Sequence, residues 1–161
     1  MRRTILLVAT MALTLLVASG VALAVTKIGT DGSDFIVGTK GSDELLGRGG
    51  VDWIGGRGGN DVISGGPGSD NPLSSRAIGI LDGGPGADVI SGGPGDDLMY
   101  DGPWPGDSAV DILNGGDGND FLVAENRPAA PDIVSCGAGS HDGAEVDRKD
   151  IVGDGCERIW R

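Results

Sequence analysis

The chain has 161 residues, of which 32 are glycine and few are aromatic (three Trp, two Phe, one Tyr), and its formal net charge is -12. That much glycine excludes a helical protein, the lack of a strict three-residue glycine period excludes collagen, and the charge excludes an electrostatic footprint for nucleic acid. Of the 24 acidic residues 20 are Asp, a residue of turns and metal sites. With so few large apolar side chains, something other than a conventional core must help to hold the chain together.

In chain order, Arg2 and Arg3 precede an apolar run, and Ala22-Leu23-Ala24 has the small-x-small form that a signal peptidase reads. Residues 1–24 are expected to be a signal peptide cut after Ala24. An uncleaved anchor is the alternative, since residues 5–25 are long enough to cross a bilayer. Thr10, Thr14, Ser19 and Gly20 interrupt the run and favour cleavage. Both readings place the remainder outside the cytoplasm, secreted and extracellular, and no second apolar stretch follows to give the mature chain a membrane span.

The main signal is a period of nine. Asp34, Asp43, Asp52, Asp61 and Asp70 are evenly spaced, and after one skipped place the phase resumes at Asp88 and Asp97. The same words surround them, as in Gly83-Gly84-Pro85-Gly86-Ala87-Asp88-Val89-Ile90-Ser91 and Gly115-Gly116-Asp117-Gly118-Asn119-Asp120-Phe121-Leu122-Val123. Six Gly-rich residues ending in Asp suit a tight turn, and three residues remain for a brief strand. The middle strand residue is expected to point inward: Ile36, Leu45, Ile54, Ile63, Ile90, Met99 and Leu122. Two repeats close a coil and coils stack about 4.8 Å apart. The expected fold is all-β, a right-handed parallel β-roll (β-solenoid) with a thin aliphatic core.

Stacking aligns Asp carboxylates along both edges. Two such charges about 4 Å apart repel by about 1 kcal/mol in water and about 4 kcal/mol at an effective dielectric of 20. Calcium relieves this, because it accepts six to eight oxygens from carboxylates and backbone carbonyls together. Zinc does not suit repeats that contain no His or Cys. Read as a disordered Asp-Gly linker, the segment would need no aliphatic residue in register with each Asp.

Residues 29–123 resemble the haemolysin-type (RTX, repeats-in-toxin) calcium-binding family. The resemblance implies several Ca2+ ions held between turns of repeats i and i+2. Their carboxylate ligands would be Asp34, Asp43, Asp52, Asp61, Asp70, Asp88, Asp97, Asp111 and Asp120. Carbonyls near Gly49, Gly58, Gly86, Gly95 and Gly118 would complete the shells. With uneven turns, roughly five ions are expected.

Two places break the pattern. Asn71-Pro72-Leu73 is a poor strand, since Pro lacks the ladder donor. Residues 71–79 therefore read as a surface loop with Ile80-Leu81-Asp82 as the delayed strand, or else as a degenerate repeat without a calcium turn. Residues 101–114 carry a second insertion, a bulged turn ending in Asp111, with Trp104 lying on the roll as a loop residue. Trp53 is expected to face outward and cover one sheet.

After Val123 the composition changes. Domain boundaries are expected at 1–24 (signal peptide), 25–123 (β-roll) and 124–161 (C-terminal cap). Cys136 and Cys156, two cysteines in an exported chain, suggest a disulfide stapling the cap. A redox pair is disfavoured because there is no CxxC. Ile133, Val134, Val146, Ile151, Val152, Ile159 and Trp160 are candidates to cover the apolar end of the solenoid. The Cys-Gly-x-Gly stretch with a late Cys-Glu-Arg resembles the terminus of small secreted bacterial members of the family. His141 stands where the turn Asp would fall and Asp142 is one place late, which argues against a calcium site there.

No G-x-S-x-G, H-E-x-x-H or G-x-G-x-x-G occurs, and the repeat already explains every carboxylate pair, so no enzyme is expected. Beyond calcium ions, a cell-surface or matrix polymer is the candidate partner, which would make the chain a calcium-dependent adhesin or glycan-binding module. An ice-binding solenoid would need an outer Thr ladder, which Leu46, Gly55, Ser64, Ser91 and Tyr100 do not provide.

Overall fold

The computed structural model describes residues 23–71 and 79–161. Most of the expected signal peptide and the interior of the 71–79 loop lie outside the described residues. Within them the chain forms short strands and no helix: β1 (Thr26–Ile28), β2 (Phe35–Val37), β3 (Glu44–Leu46), β4 (Trp53–Gly55), β5 (Val62–Ser64), β6 (Ile80–Asp82) and β7 (Val89–Pro94). There follow β8 (Leu98–Asp101), β9 (Ile112–Asp117), β10 (Phe121–Ala124), β11 (Ile133–Ala138), β12 (Gly143–Val146), β13 (Ile151–Val152) and β14 (Arg158–Trp160). No helix among the described residues is long and apolar enough to cross a membrane.

The odd-numbered strands form one 7-stranded sheet in the order β1-β3-β5-β7-β9-β11-β13, and the even-numbered strands form the other, β2 to β14. Every ladder is parallel and joins strand i to strand i+2, as in Ile36↔Ile54↔Leu81↔Met99↔Leu122↔Ala144. A parallel β-solenoid with two strands per coil is the result. Its strands are short because the repeat spends six of nine residues on the turn, and three remain to span the sheet.

The core is one file of middle-strand residues from each sheet. Ile36, Leu45, Ile54, Ile63, Ile90, Met99 and Leu122 are all buried as the period requires, and Leu81, Leu113, Val134 and Ala144 continue the files. The delayed strand Ile80-Leu81-Asp82 is present as β6, while residues 72–78 lie outside the described residues. Strand β6 pairs with β4 in register Trp53↔Ile80, and Ile80 N donates to the carbonyl of Asp52 at 3.0 Å. Gly79 returns so close to Asp70 that a Cβ built on it would lie 2.9 Å from the Asp70 carbonyl carbon. The chain thus leaves and re-enters the coil at one point.

The segment from residue 124 onward is made of the same coil. Strands β11 and β13 extend the odd sheet beyond β9, and β12 and β14 extend the even sheet beyond β10. Of the residues proposed to cover the end, Val134 and Val146 are core, Ile159 continues the inward file beyond Ala144 on the last strand, and Ile133, Ile151 and Trp160 face outward and are exposed. Cys136 and Cys156 are disulfide-bonded, with Cα atoms 5.0 Å apart, and tie β11 to the turn after β13. Closing that loop of 20 residues contributes about 3 kcal/mol. It acts on the end of the solenoid, where a strand has a partner on one side only.

The two outer faces differ. On the odd sheet Val62, Val89, Ile112, Ile133 and Ile151 line up in one register column and are exposed. The even sheet carries every aromatic residue except Trp104. Trp53 lies over Gly55 and stacks on Phe35 with ring centroids 4.5 Å apart, and Trp160 lies over Gly143 beside Phe121.

Candidate metal centre

Each Asp that ends a turn, Asp70 excepted, sits immediately before a strand, and the parallel register stacks these residues in two columns. The edge preceding the odd strands carries Asp43, Asp61, Asp88, Asp111, Asp132 and Asp150. The edge preceding the even strands carries Asp34, Asp52, Asp70, Asp97, Asp120 and Asp142, with Glu157 last. Along each column the backbone N–H of one Asp donates to Oδ1 of the Asp one coil further on. Asp43 N reaches Asp61 at 2.7 Å, Asp61 N reaches Asp88 at 2.7 Å and Asp88 N reaches Asp111 at 2.7 Å. On the other edge Asp52 N reaches Asp70 at 2.6 Å, Asp70 N reaches Asp97 at 2.8 Å and Asp97 N reaches Asp120 at 2.9 Å.

One carboxylate oxygen is thereby spoken for and the other is not. Oδ2 of Asp52, Asp61, Asp88, Asp97, Asp111, Asp120 and Asp142 is buried without a hydrogen-bond partner. A buried acceptor left unpaired costs about 1–3 kcal/mol, more when it is charged. These oxygens face backbone carbonyls of the neighbouring coil. A Cβ built on Gly92 would run into Asp97 Oδ2 and lie 2.6 Å from the Gly115 carbonyl oxygen. One built on Gly47 would meet Asp52 Oδ2 and lie 2.6 Å from the Gly65 oxygen, and Gly56 is framed the same way by Asp61 and Gly83. Each first glycine of a turn therefore keeps open a pocket where a carboxylate and a carbonyl converge. A cation satisfies two acceptors at once, and an all-oxygen donor set fits calcium.

Burial also shifts the acids. Desolvation, with repulsion from neighbouring carboxylates, pushes Asp88 up to about 8 and Asp97 and Asp132 up to about 7, against the ladder N–H bonds that hold them down. Asp70, Asp82 and Asp120 are pushed up to about 6, chiefly by burial.

All nine carboxylates picked out by the period occupy these columns. Three of them stand outside the unpartnered set: Oδ2 of Asp34 accepts the N–H and hydroxyl of Thr30, Oδ2 of Asp43 accepts the Thr39 N–H, and Oδ2 of Asp70 frames Gly65 together with the Gly92 carbonyl. The glycines need a correction of register. Gly50 and Gly59, with φ of 121° and 108°, are the residues equivalent to Gly86, Gly95 and Gly118; Gly49 and Gly58 sit one place earlier. Counting back two residues from each Asp gives this directly. In the same two turns Arg48 and Arg57 hold φ of 80° and 84°, where later repeats place glycine.

Asp142 nevertheless joins the column. His141 is exposed, the extra residue is absorbed between Ser140 and Asp142, and Asp120 N donates to Asp142 Oδ1 at 2.7 Å. Sequence reasoning also passed over Asp132 and Asp150. Each precedes an Ile-Val pair, as a turn Asp should, but without the preceding glycines. Their Oδ2 atoms already have donors, Asn126 Nδ2 at 2.8 Å and the Asp147 N–H. Trp104 is half-buried in the bulged turn, as a residue lying on the roll would be.

The RTX calcium-binding nonapeptide repeat matches the chain in 4 copies, over residues 28–63, 51–71, 79–100 and 105–126. No curated protein and no solved structure matches it significantly. The matched segments carry the Asp columns and the glycine pockets just described, and the chain belongs to the RTX calcium-binding nonapeptide-repeat family.

Proposed function

We propose that this chain is a secreted calcium-binding β-roll whose folding is coupled to its ions, with a structural or surface-interaction role and no catalysis. The observation that carries the reading is the row of buried, unpartnered Oδ2 atoms facing carbonyls of the next coil. Asp52, Asp61, Asp70, Asp88, Asp97, Asp111 and Asp120 would hold the ions, with Asp142 added. Asp34 and Asp43 rank below them, because Thr30 and Thr39 already donate to their second oxygens. Position-four carbonyls, at Gly50, Gly59, Gly86, Gly95 and Gly118, would complete the shells. Bound calcium neutralises the columns, so stacking that repels without it becomes favourable with it. The disulfide and the sequence of residues 1–24 support an oxidising, extracellular location.

A far-UV circular dichroism titration of residues 25–161 tests this. Calcium is expected to convert a largely unstructured chain to β-structure cooperatively at neutral pH, while magnesium, which prefers a rigid octahedral site, does not. A chain already folded and indifferent to calcium would overturn the ligand assignment.

The even sheet favours a second reading, a calcium-dependent module that binds polysaccharide. Phe35 is 73% exposed and stacks on Trp53, giving a flat aromatic platform against which sugar rings pack. Retention on immobilised polysaccharides, lost in Phe35→Ala and Trp53→Ala with the calcium-loaded β-signal intact, would support it. No retention on any polysaccharide would discard it.

A further inference from the structure

The column that opens onto the odd edge reads Gly38, Gly56, Gly83, Asp101, Ala124, Val146, so an Asp stands where the repeat has its first glycine. Asp101 ends β8 in register with Ala124, and its side chain points inward at 1% exposure. Neither of its oxygens has a hydrogen-bond partner. Asp101 Oδ1 lies 3.2 Å, and Asp88 Oδ2 2.6 Å, from the position of a Cβ on Gly83, so the two converge beside the same glycine. The third member is Asp111. Its Oδ1 is taken by Asp88 N at 2.7 Å and its Oδ2 is buried and unpartnered. One oxygen from each of the three lies within 4.8 Å of the others. An ion with about 2.4 Å bonds to oxygen can touch acceptors that far apart.

We propose that Asp88, Asp101 and Asp111 form a three-carboxylate calcium site, separate in composition from the repeat pockets, that fills first and empties last. The inference rests on the calcium reading above and adds to it a rank order and a residue outside the nonapeptide pattern. A repeat pocket pairs turn carboxylates with backbone carbonyls. Here a further carboxylate enters from the strand, and in oxygen-ligand sites affinity rises with the number of charged ligands. The neighbouring coils frame the site. Towards the C-terminus the same column is closed by Ala124 and Val146, both buried, and there Asp132 has Asn126 as its donor. On the odd edge, unpartnered carboxylate oxygens thus collect at Asp61, Asp88, Asp101 and Asp111.

The test counts ions. Residues 25–161, loaded with calcium, are dialysed against buffers of decreasing free calcium, and bound metal per chain is measured by mass spectrometry beside circular dichroism. One ion is expected to persist at free calcium about tenfold or more below that at which the others leave. Asp101→Asn, which keeps the shape, and Asp101→Gly, which restores the repeat residue, should both lose that step while reaching the full β-signal at saturating calcium. A tight step unchanged in both variants would overturn the proposal and leave the calcium reading standing. So would loss of the β-signal in both at saturating calcium, since the site would then not be separable from the repeat pockets. A parent chain that takes up no calcium would instead overturn the calcium reading itself.

Discussion

Stripped of calcium, the chain is expected to be most ordered near pH 4 and to lose structure as the pH rises toward 8. The acids that burial shifts are all shifted upward, to about 6 for Asp70, Asp82 and Asp120, about 7 for Asp97 and Asp132, about 8 for Asp88 and furthest for Asp101, with Asp52, Asp61 and Asp150 raised as well. In the unfolded chain the same groups titrate near pH 4. Between these limits the folded state binds more protons than the unfolded one, so stability falls with rising pH. The contribution is fully present below about pH 4 and is lost as the pH passes through the folded values, from about 6 to about 8 for six of these groups and higher still for Asp101. Structurally, a protonated Oδ2 becomes a donor to the carbonyl it faces, and each proton removes one charge from the column.

With calcium the order reverses. Ions and protons compete for the same oxygens, so the free calcium needed to half-saturate the sites, read as bound metal per chain, should rise as the pH falls from 8 to 5. Circular dichroism against pH, with chelator and with calcium, checks both limbs. An apo chain equally unstructured at pH 4 and pH 8 would mean that protons cannot substitute for the ions.

The two-sheet coil and the columns of Asp34 to Asp120 were legible because both follow from a period. Nine residues fix which side chain points in, and a parallel stack puts equivalent residues in line. Legibility failed where the chain keeps the geometry but changes the letters. Asp132 and Asp150 hold ladder positions without the glycine word. Asp142 reaches its place by bulging out His141, a compensation that counting along the chain does not reveal. Asp101 was hidden for the opposite reason: it looks like the start of an insertion, and only the pairing of β8 with β6, which brings it in line with Gly83, shows that it replaces a glycine. Beyond residue 124 the strands extend both sheets, with Val134 and Ala144 in inward places that apolar content alone does not single out.

The first glycine of the turn is the position where a single methyl should act on the ion and not through a left-handed backbone. Gly92→Ala is expected to lose one bound ion and to destabilise the calcium-loaded fold by about 3 kcal/mol. The added Cβ would run into Asp97 Oδ2 and lie 2.6 Å from the Gly115 carbonyl oxygen, the two acceptors that an ion would join. Backbone strain is not the cause, because the residue in the matching place on the other edge is alanine at position 124 and valine at position 146, and both strands pair normally there. What differs is the carboxylate beyond. Asp132 Oδ2 is bonded to Asn126 Nδ2 at 2.8 Å, whereas Asp97 Oδ2 has no partner. The reciprocal change makes the control. Ala124→Gly opens the space without freeing a carboxylate, so it should gain no ion and cost only about 1 kcal/mol for the lost methyl and the added chain entropy. Ion counts and calcium-loaded denaturation curves for the two variants separate the cases. An unchanged ion count in Gly92→Ala would remove the glycine pockets from the calcium shell.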